Sequence, residues 1–321
     1  MGGGGGIFGG AGGNGGSENQ SSRNYKDLIN EVRENTKDEA FETTVNGLIT
    51  GILGEANSRD TEVIREHLDD IKQNIEENVG GTIELQYGGS VSKHTYVNGL
   101  SDVDILVKIN NSELSDKSPR EVLDYMKAEL EGKLDNVDSI HVGKLAVTVK
   151  FSDGHEIQLL PALERSNGVK IPNYRGDNWS NIIRPEKFAS RLTEVNQSCG
   201  GKVVPVVKIV KRINSQLPED QQLSGYHVES LAIEIFKSYP EGKSKTPKVM
   251  LRYFFEKASE KVNSPIKDKT GQSIHVDDYM GEENSSQRMR ASYTLGRINK
   301  KMINADEIKS VDEWEEILGE E

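Results

Sequence analysis

Residues 83–107, "IELQYGGSVSKHTYVNGLSDVDILV", change their hydrophobic period twice, and this constrains the fold more than any other stretch. Ile83, Leu85 and Tyr87 alternate with Glu84 and Gln86, which predicts a strand. Val103, Ile105 and Val107 alternate with Asp102, Asp104 and Leu106, which predicts a second. Between them lie Gly88, Gly89 and Ser90, then eleven residues before Asp102. The spacing predicts a glycine turn, a short helix through "VSKHTY" with Ser90 as its cap, and a loop "VNGLS" returning the chain to a neighbouring strand.

Around this segment, Ile64, Leu68, Ile71 and Ile75 form a helical stripe closed by Gly80–Gly81. A helix is predicted from about Pro119 to Leu134. Strands at 138–142, 145–151 and 155–160 follow, the last two joined by a turn at Asp153–Gly154. Beyond Pro161 the pattern is mostly helical: 185–197, 201–217, 223–239, 246–262, 285–304 and 309–318. Strands first and helices afterwards define an α+β chain, a mixed sheet beside a helical lobe. The domains expected are a glycine-rich disordered tail (1–23), a sheet-containing core (24–165) and a helical lobe (166–321).

Hydrophobic residues at 34% and charged residues at 29% describe a globular chain with a charged surface. No apolar run approaches the roughly 20 residues of a bilayer span, and the N-terminus lacks the pattern of a secretory signal. A single cysteine, Cys199, excludes an internal disulfide and a cysteine-rich zinc module, and fits the cytoplasm. A net charge of −12 disfavours a long nucleic-acid track but leaves room for small anionic ligands, whose field a metal or a few lysines reverses locally.

Asp102 and Asp104, two apart on a strand, project from one face about 6–7 Å apart. Their repulsion is relieved by a cation between them, and Mg²⁺ (or Mn²⁺) suits two carboxylates completed by phosphate oxygens. The helix N-terminus after Gly88 and Gly89 offers backbone N–H groups and the Ser90 hydroxyl to a phosphate. A plain solvated strand face is the alternative for the aspartates taken alone. Taken with the glycine loop, they describe a polyphosphate-and-metal site.

Gly88-Gly89-Ser90 followed by Asp102-Val103-Asp104 resembles the defining motif of the DNA polymerase β-like nucleotidyltransferases. The layout further resembles the branch that holds oligoadenylate synthetase, cyclic GMP–AMP synthase and the bacterial CD-NTases of CBASS anti-phage defence. "EIQLLPAL", "VVPVVKIVKRIN" and "LSGYHVESLAIEIF" carry the weaker, later parts of the likeness, which covers roughly residues 25–305. It implies a polymerase β-like catalytic core and a helical lobe around a central cleft. It also implies a metal-dependent enzyme joining ATP, GTP or other NTPs into a cyclic or short linear messenger for a downstream effector. By the same resemblance Lys211 contacts the triphosphate, and Ser224 and Tyr226 meet the nucleotide from the next helix. Asp277 and Asp278 are expected to be structural.

The family's third carboxylate, three residues before the proline of "LLPAL", falls here on Gln158. An amide can offer its oxygen to a metal but cannot take a proton from a ribose hydroxyl. Glu156, on the same strand face, and His155 are the alternatives. The rival functions are a nucleotide-binding pseudoenzyme and a transferase acting on an RNA end, a protein or a small molecule.

Overall fold

The apolar sides of the predicted strands become one face of a single mixed sheet. The computed structural model describes residues 25–57, 61–100, 102–173, 176–268, 270 and 275–320, with side chains from residue 37 onward. The glycine-rich stretch 1–23 lies outside them. The chain divides into two units, 1–40 and 41–321. Of the first, the backbone from residue 25 is described, forming the leading part of helix α1 (Tyr25–Asn57). All that follows concerns the second.

Helix α2 (Thr61–Glu77) precedes β1 (Glu84–Tyr87), the one-turn helix α3 (Gly89–Ser92) and β2 (Val103–Lys108). Then come α4 (Pro119–Leu130), β3 (Val137–Val142), β4 (Val147–Phe151), β5 (Glu156–Arg165) and β6 (Gly168–Lys170). The sheet order is β1-β2-β5-β4-β3, with β6 on β5; β2 and β5 run parallel and the other pairs antiparallel. One face buries Val103, Ile105, Val107, Val149, Ile157 and Leu159 against the stripe Ile64–Leu68–Ile71–Ile75 of α2 and the apolar side of α4. Helix α4 starts on a capping box, Ser118 and Glu121 exchanging backbone bonds ahead of Pro119. The parallel β2–β5 pairing sets Asp104 opposite Gln158.

Helices α5 (Pro185–Ser198), α6 (Val203–Ser215), α7 (Gly225–Phe236), α8 (Pro247–Lys261), α9 (Ser286–Glu307) and α10 (Val311–Leu318) build a second apolar cluster. It includes Phe41, Val45, Ile49 and Ile52 of α1. Asp277 is buried here and pairs with Arg288 at 2.6 Å, the structural role expected of it. No helix among the described residues is long and apolar enough to cross a membrane.

The fold departs from the sequence reading around the site in the following places. Strand β5 does not stop at 160 but runs through Pro161 to Arg165. Pro161 lies between the last β4 pair, Val147↔Leu159, and the first β6 pair, Leu163↔Lys170, so its missing N–H costs no bond to either. The helix after Gly88 spans one turn, not all of "VSKHTY". His94 takes a left-handed φ of 59° and the Thr95 N–H returns to the Ser90 carbonyl at 2.9 Å. Ser90 is not its cap: Gly88 holds that position and Ser90 lies within the turn.

Candidate active site

Strand β2 orients Asp104, whose side chain faces away from the buried Val103 and Ile105; Asp102, expected within the strand, stands immediately before it. Asp104 is tied to the glycine loop twice. The Gly88 N–H donates to its carbonyl oxygen at 2.8 Å, and the Ser90 N–H approaches its Oδ2 at 3.4 Å. Gly89 has φ +44°, and a Cβ there would come within 1.6 Å of that Oδ2. The position therefore requires glycine for both conformation and space. Ser90 Oγ is buried and, among the described residues, has no hydrogen-bond partner. A buried hydroxyl left unpaired on a loop of this type fits an incoming phosphate oxygen.

Across the sheet, the Gln158 amide donates to Asp102 Oδ2. Glu156 pairs instead with Lys150 at 2.9 Å. His155 is turned away to Asp153 and His67, so it takes no part in this cluster. Burial first, then the charges of Glu156 and Asp104, push the Asp102 carboxyl up to about 6. Burial also raises Asp104, against the Ser90 N–H and the ammonium groups of Lys93 and Lys211. Excess negative charge in a half-desolvated place, an all-oxygen donor set and an unpaired serine suit Mg²⁺ or Mn²⁺ carrying phosphate.

The sign of the Asp102 shift gives an expectation for the metal-free protein. Folding favours the protonated acid, so this group helps stability most at low pH and progressively less as pH rises through about 6. Asp102→Asn removes that pH-dependent penalty. Thermal melts in chelator should show a stability gain that is small near pH ~4 and grows to about 1 kcal/mol near neutrality, after allowance for the group's partial exposure. A gain independent of pH would contradict it.

Lys211 and two residues that sequence reasoning missed, Lys93 and Glu229, form the wall beyond the loop. Glu229, 1% exposed, accepts from Lys211 Nζ at 2.8 Å, from Lys93 Nζ and from Thr95 Oγ1. Burial would raise this carboxyl, but Lys93 and Lys211 outweigh it and hold it below its ordinary range. Lys211 also donates to the Thr95 carbonyl at 3.1 Å, so α6 and α7 grip the segment leaving α3. The signal for Glu229 was present: an acid amid the apolar run "GYHVESLAIEIF", which is buried nearly throughout.

Ser224 caps α7, its Oγ accepting the His227 N–H at 3.2 Å. The Tyr226 ring packs on Phe188 with centroids 4.6 Å apart, and its hydroxyl donates to Asp268 at 2.8 Å. Lys93 Nζ stands 5.6 Å from the same ring's centroid. The structure thus brings Gly88, Gly89, Ser90, Asp102, Asp104 and Gln158 together around β2. It links Lys211 to that group through Thr95, while Ser224 and Tyr226 lie at the start of the same helix as Glu229.

No protein-family model matches the sequence, and no curated protein matches it. Solved structures do. The CD-NTase CdnG of Bradyrhizobium diazoefficiens, in complex with GTP, superposes with a TM-score of 0.64 at 13% identity, over 86% of this chain and 95% of that one. DncV of Escherichia coli, in a 3′-deoxy GTP bound form, gives 0.62 at 11% identity, over 93% and 90%. The STING-associated CdnE c-di-GMP synthase of Capnocytophaga granulosa gives 0.56 at 17%, over 81% and 83%. The chain therefore has the CD-NTase nucleotidyltransferase fold.

Proposed function

We propose that the protein is a metal-dependent nucleotidyltransferase that joins NTPs into a cyclic di- or trinucleotide or a short oligonucleotide, a second messenger of bacterial anti-phage signalling in the cytoplasm that acts on a downstream effector. One observation carries the reading: Asp104 stands in contact with a glycine-serine turn whose buried hydroxyl, among the described residues, is unpaired, and its charge acts on the neighbouring Asp102. The neighbours' bound GTP and their synthase activity support it in kind.

In this reading Gly88, Gly89 and Ser90 seat the donor's phosphates, and Asp102 and Asp104 hold the divalent ion. That ion, when bound, supplies charge neutralisation for the leaving pyrophosphate and acidifies an attacking hydroxyl. Lys93 and Lys211 add positive potential beside the phosphates, and Glu229 fixes where that potential sits. Gln158 orients Asp102 and can present its amide oxygen by rotation. Tyr226 and Ser224 border the nucleotide.

Gln158 favours a second reading, a nucleotide-binding protein without turnover, because an amide cannot accept the proton a third carboxylate would take. The acidic composition weighs against an RNA-tailing transferase. Incubating the purified chain with labelled ATP, GTP, CTP and UTP and Mg²⁺ or Mn²⁺, without RNA, separates the readings. A phosphatase-resistant oligonucleotide is expected. Nucleotide binding with no pyrophosphate released would overturn the enzyme.

Because Gln158 touches Asp102 while Glu156 is engaged by Lys150, Gln158→Ala should lower turnover about 10–100-fold, the range typical for a group that orients a metal ligand. Glu156→Ala should cost less. The reverse order in steady-state pyrophosphate release would make Glu156 the third acid.

A further inference from the structure

We propose that His67, Asp153 and His155 form a transition-metal site, of the Zn²⁺ class, on the side of the sheet away from Asp102 and Asp104. His67 comes from α2, and Asp153 and His155 from the turn joining β4 to β5. One ligand atom from each of the three lies within 4.8 Å of the other two. His67 Nε2 is 2.7 Å from Asp153 Oδ2, and His155 Nδ1 is 3.0 Å from Oδ1. Each imidazole thus brings a ring nitrogen close to one oxygen of the same carboxylate, beside which an ion would collect all three.

The surroundings are those of a held site. The Asp153 carboxylate is fixed by the backbone N–H of His155, which donates to Oδ1 at 3.0 Å. That oxygen thus already accepts one bond. His155 Nδ1 is off the hydrogen-bonding direction to it, and among the described residues this buried nitrogen makes no hydrogen bond. The His67 ring lies flat on Phe151, centroids 3.6 Å apart and planes 14° from parallel. Phe151 is itself packed in the core, so the stacking fixes the plane of the imidazole. The histidine side chains are 13% and 19% exposed, shielded yet reachable, and that of Asp153 is 36% exposed.

The donors select the ion. Two imidazoles and one carboxylate suit Zn²⁺, Co²⁺ or Ni²⁺, whereas Mg²⁺ prefers oxygen ligands and avoids such a set. Ligand bonds of about 2.0–2.2 Å set the ligand atoms a little over 3 Å apart, so the 2.7 Å His67–Asp153 pair opens slightly while any wider pair within the 4.8 Å limit closes. Small torsional shifts of all three side chains supply this adjustment. Three protein ligands leave a fourth position for water. Occupancy would staple α2 to the turn that leads directly into Glu156 and Gln158, bracing the strand that supports Asp102. The alternative is a metal-free latch in which Asp153 simply binds two histidines.

The full-length chain carrying Asp102→Asn and Asp104→Asn, stripped with chelator, is the material for the test, since the nucleotide-site acids are then unavailable. Titration with Zn²⁺ by calorimetry and with Co²⁺ by visible absorption should give one ion per chain. The Co²⁺ bands should be those of nitrogen and oxygen ligation without thiolate, and the melting temperature should rise on saturation. His67→Gln and His155→Gln, checked as folded by circular dichroism, should each weaken binding at least tenfold. Absence of saturable Zn²⁺ and Co²⁺ binding to the folded parent would leave only the latch and overturn the proposal. So would an ion whose affinity ignores both histidine substitutions.

Discussion

Replacing both aspartates, Asp102→Asn with Asp104→Asn, is expected to abolish pyrophosphate release from NTPs while leaving the fold intact. The loss should be at least about a thousandfold, the scale seen when one preorganised charge-stabilising group is removed, and here two charges go. The side chains keep their size and the strand its hydrogen bonds, so the structural cost is small. Both carboxyls are raised in the folded protein, chiefly by burial, so the amides relieve a strain of charge rather than create one. A protein that melts no lower than the parent in chelator yet makes no product is the expected combination. Normal pyrophosphate release from the double variant would end the site assignment.

The largest effect on stability is expected at Glu229, which lies fully buried between Lys93, Lys211 and Thr95. Glu229→Ala deletes the only carboxylate that, among the described residues, bonds these two ammonium groups, and leaves the Thr95 hydroxyl just its long 3.4 Å contact with the Ser90 carbonyl. Breaking a buried pair in this way costs about 3–5 kcal/mol, because the surviving charge keeps its desolvation penalty. Denaturant unfolding measures it. Since the penalty belongs to the stranded cations, adding Lys211→Met to Glu229→Ala should recover part of the loss. Additive costs would mean that the two residues are not coupled. Function should suffer as well, because Thr95 is the residue through which α6 and α7 hold the segment leaving the glycine loop.

Legibility in the sequence followed the range of the interactions. The Gly88–Ser90 turn and the alternation around Asp104 are local patterns, and the structure sets Asp104 directly against the turn. The α2 stripe and the Asp153–Gly154 turn are equally local and equally plain. Glu229 and Lys93 are 136 residues apart, and no short-range pattern announces their pairing. The same holds for Tyr226 with Asp268, and for His67 with Asp153, 86 residues on. Pro161 misled because a proline lacks a ladder donor, and its place in the gap between the β4 and β6 pairings makes it harmless here. The stripe Phe41–Val45–Ile49–Ile52 of α1 was periodic enough to read, but it lies in a long polar helix whose other faces dilute it.

The placement of metal and phosphate against β2 is tested most directly by diffraction from crystals grown with Mn²⁺ and a non-hydrolysable ATP analogue, using the anomalous signal of manganese. The account predicts an anomalous peak bound by the Asp102 and Asp104 carboxylates, with the triphosphate on the Gly88–Ser90 turn and an oxygen within hydrogen-bonding distance of Ser90 Oγ. Manganese bound elsewhere, with no peak at those two carboxylates, or a nucleotide whose phosphates avoid the turn, would contradict it.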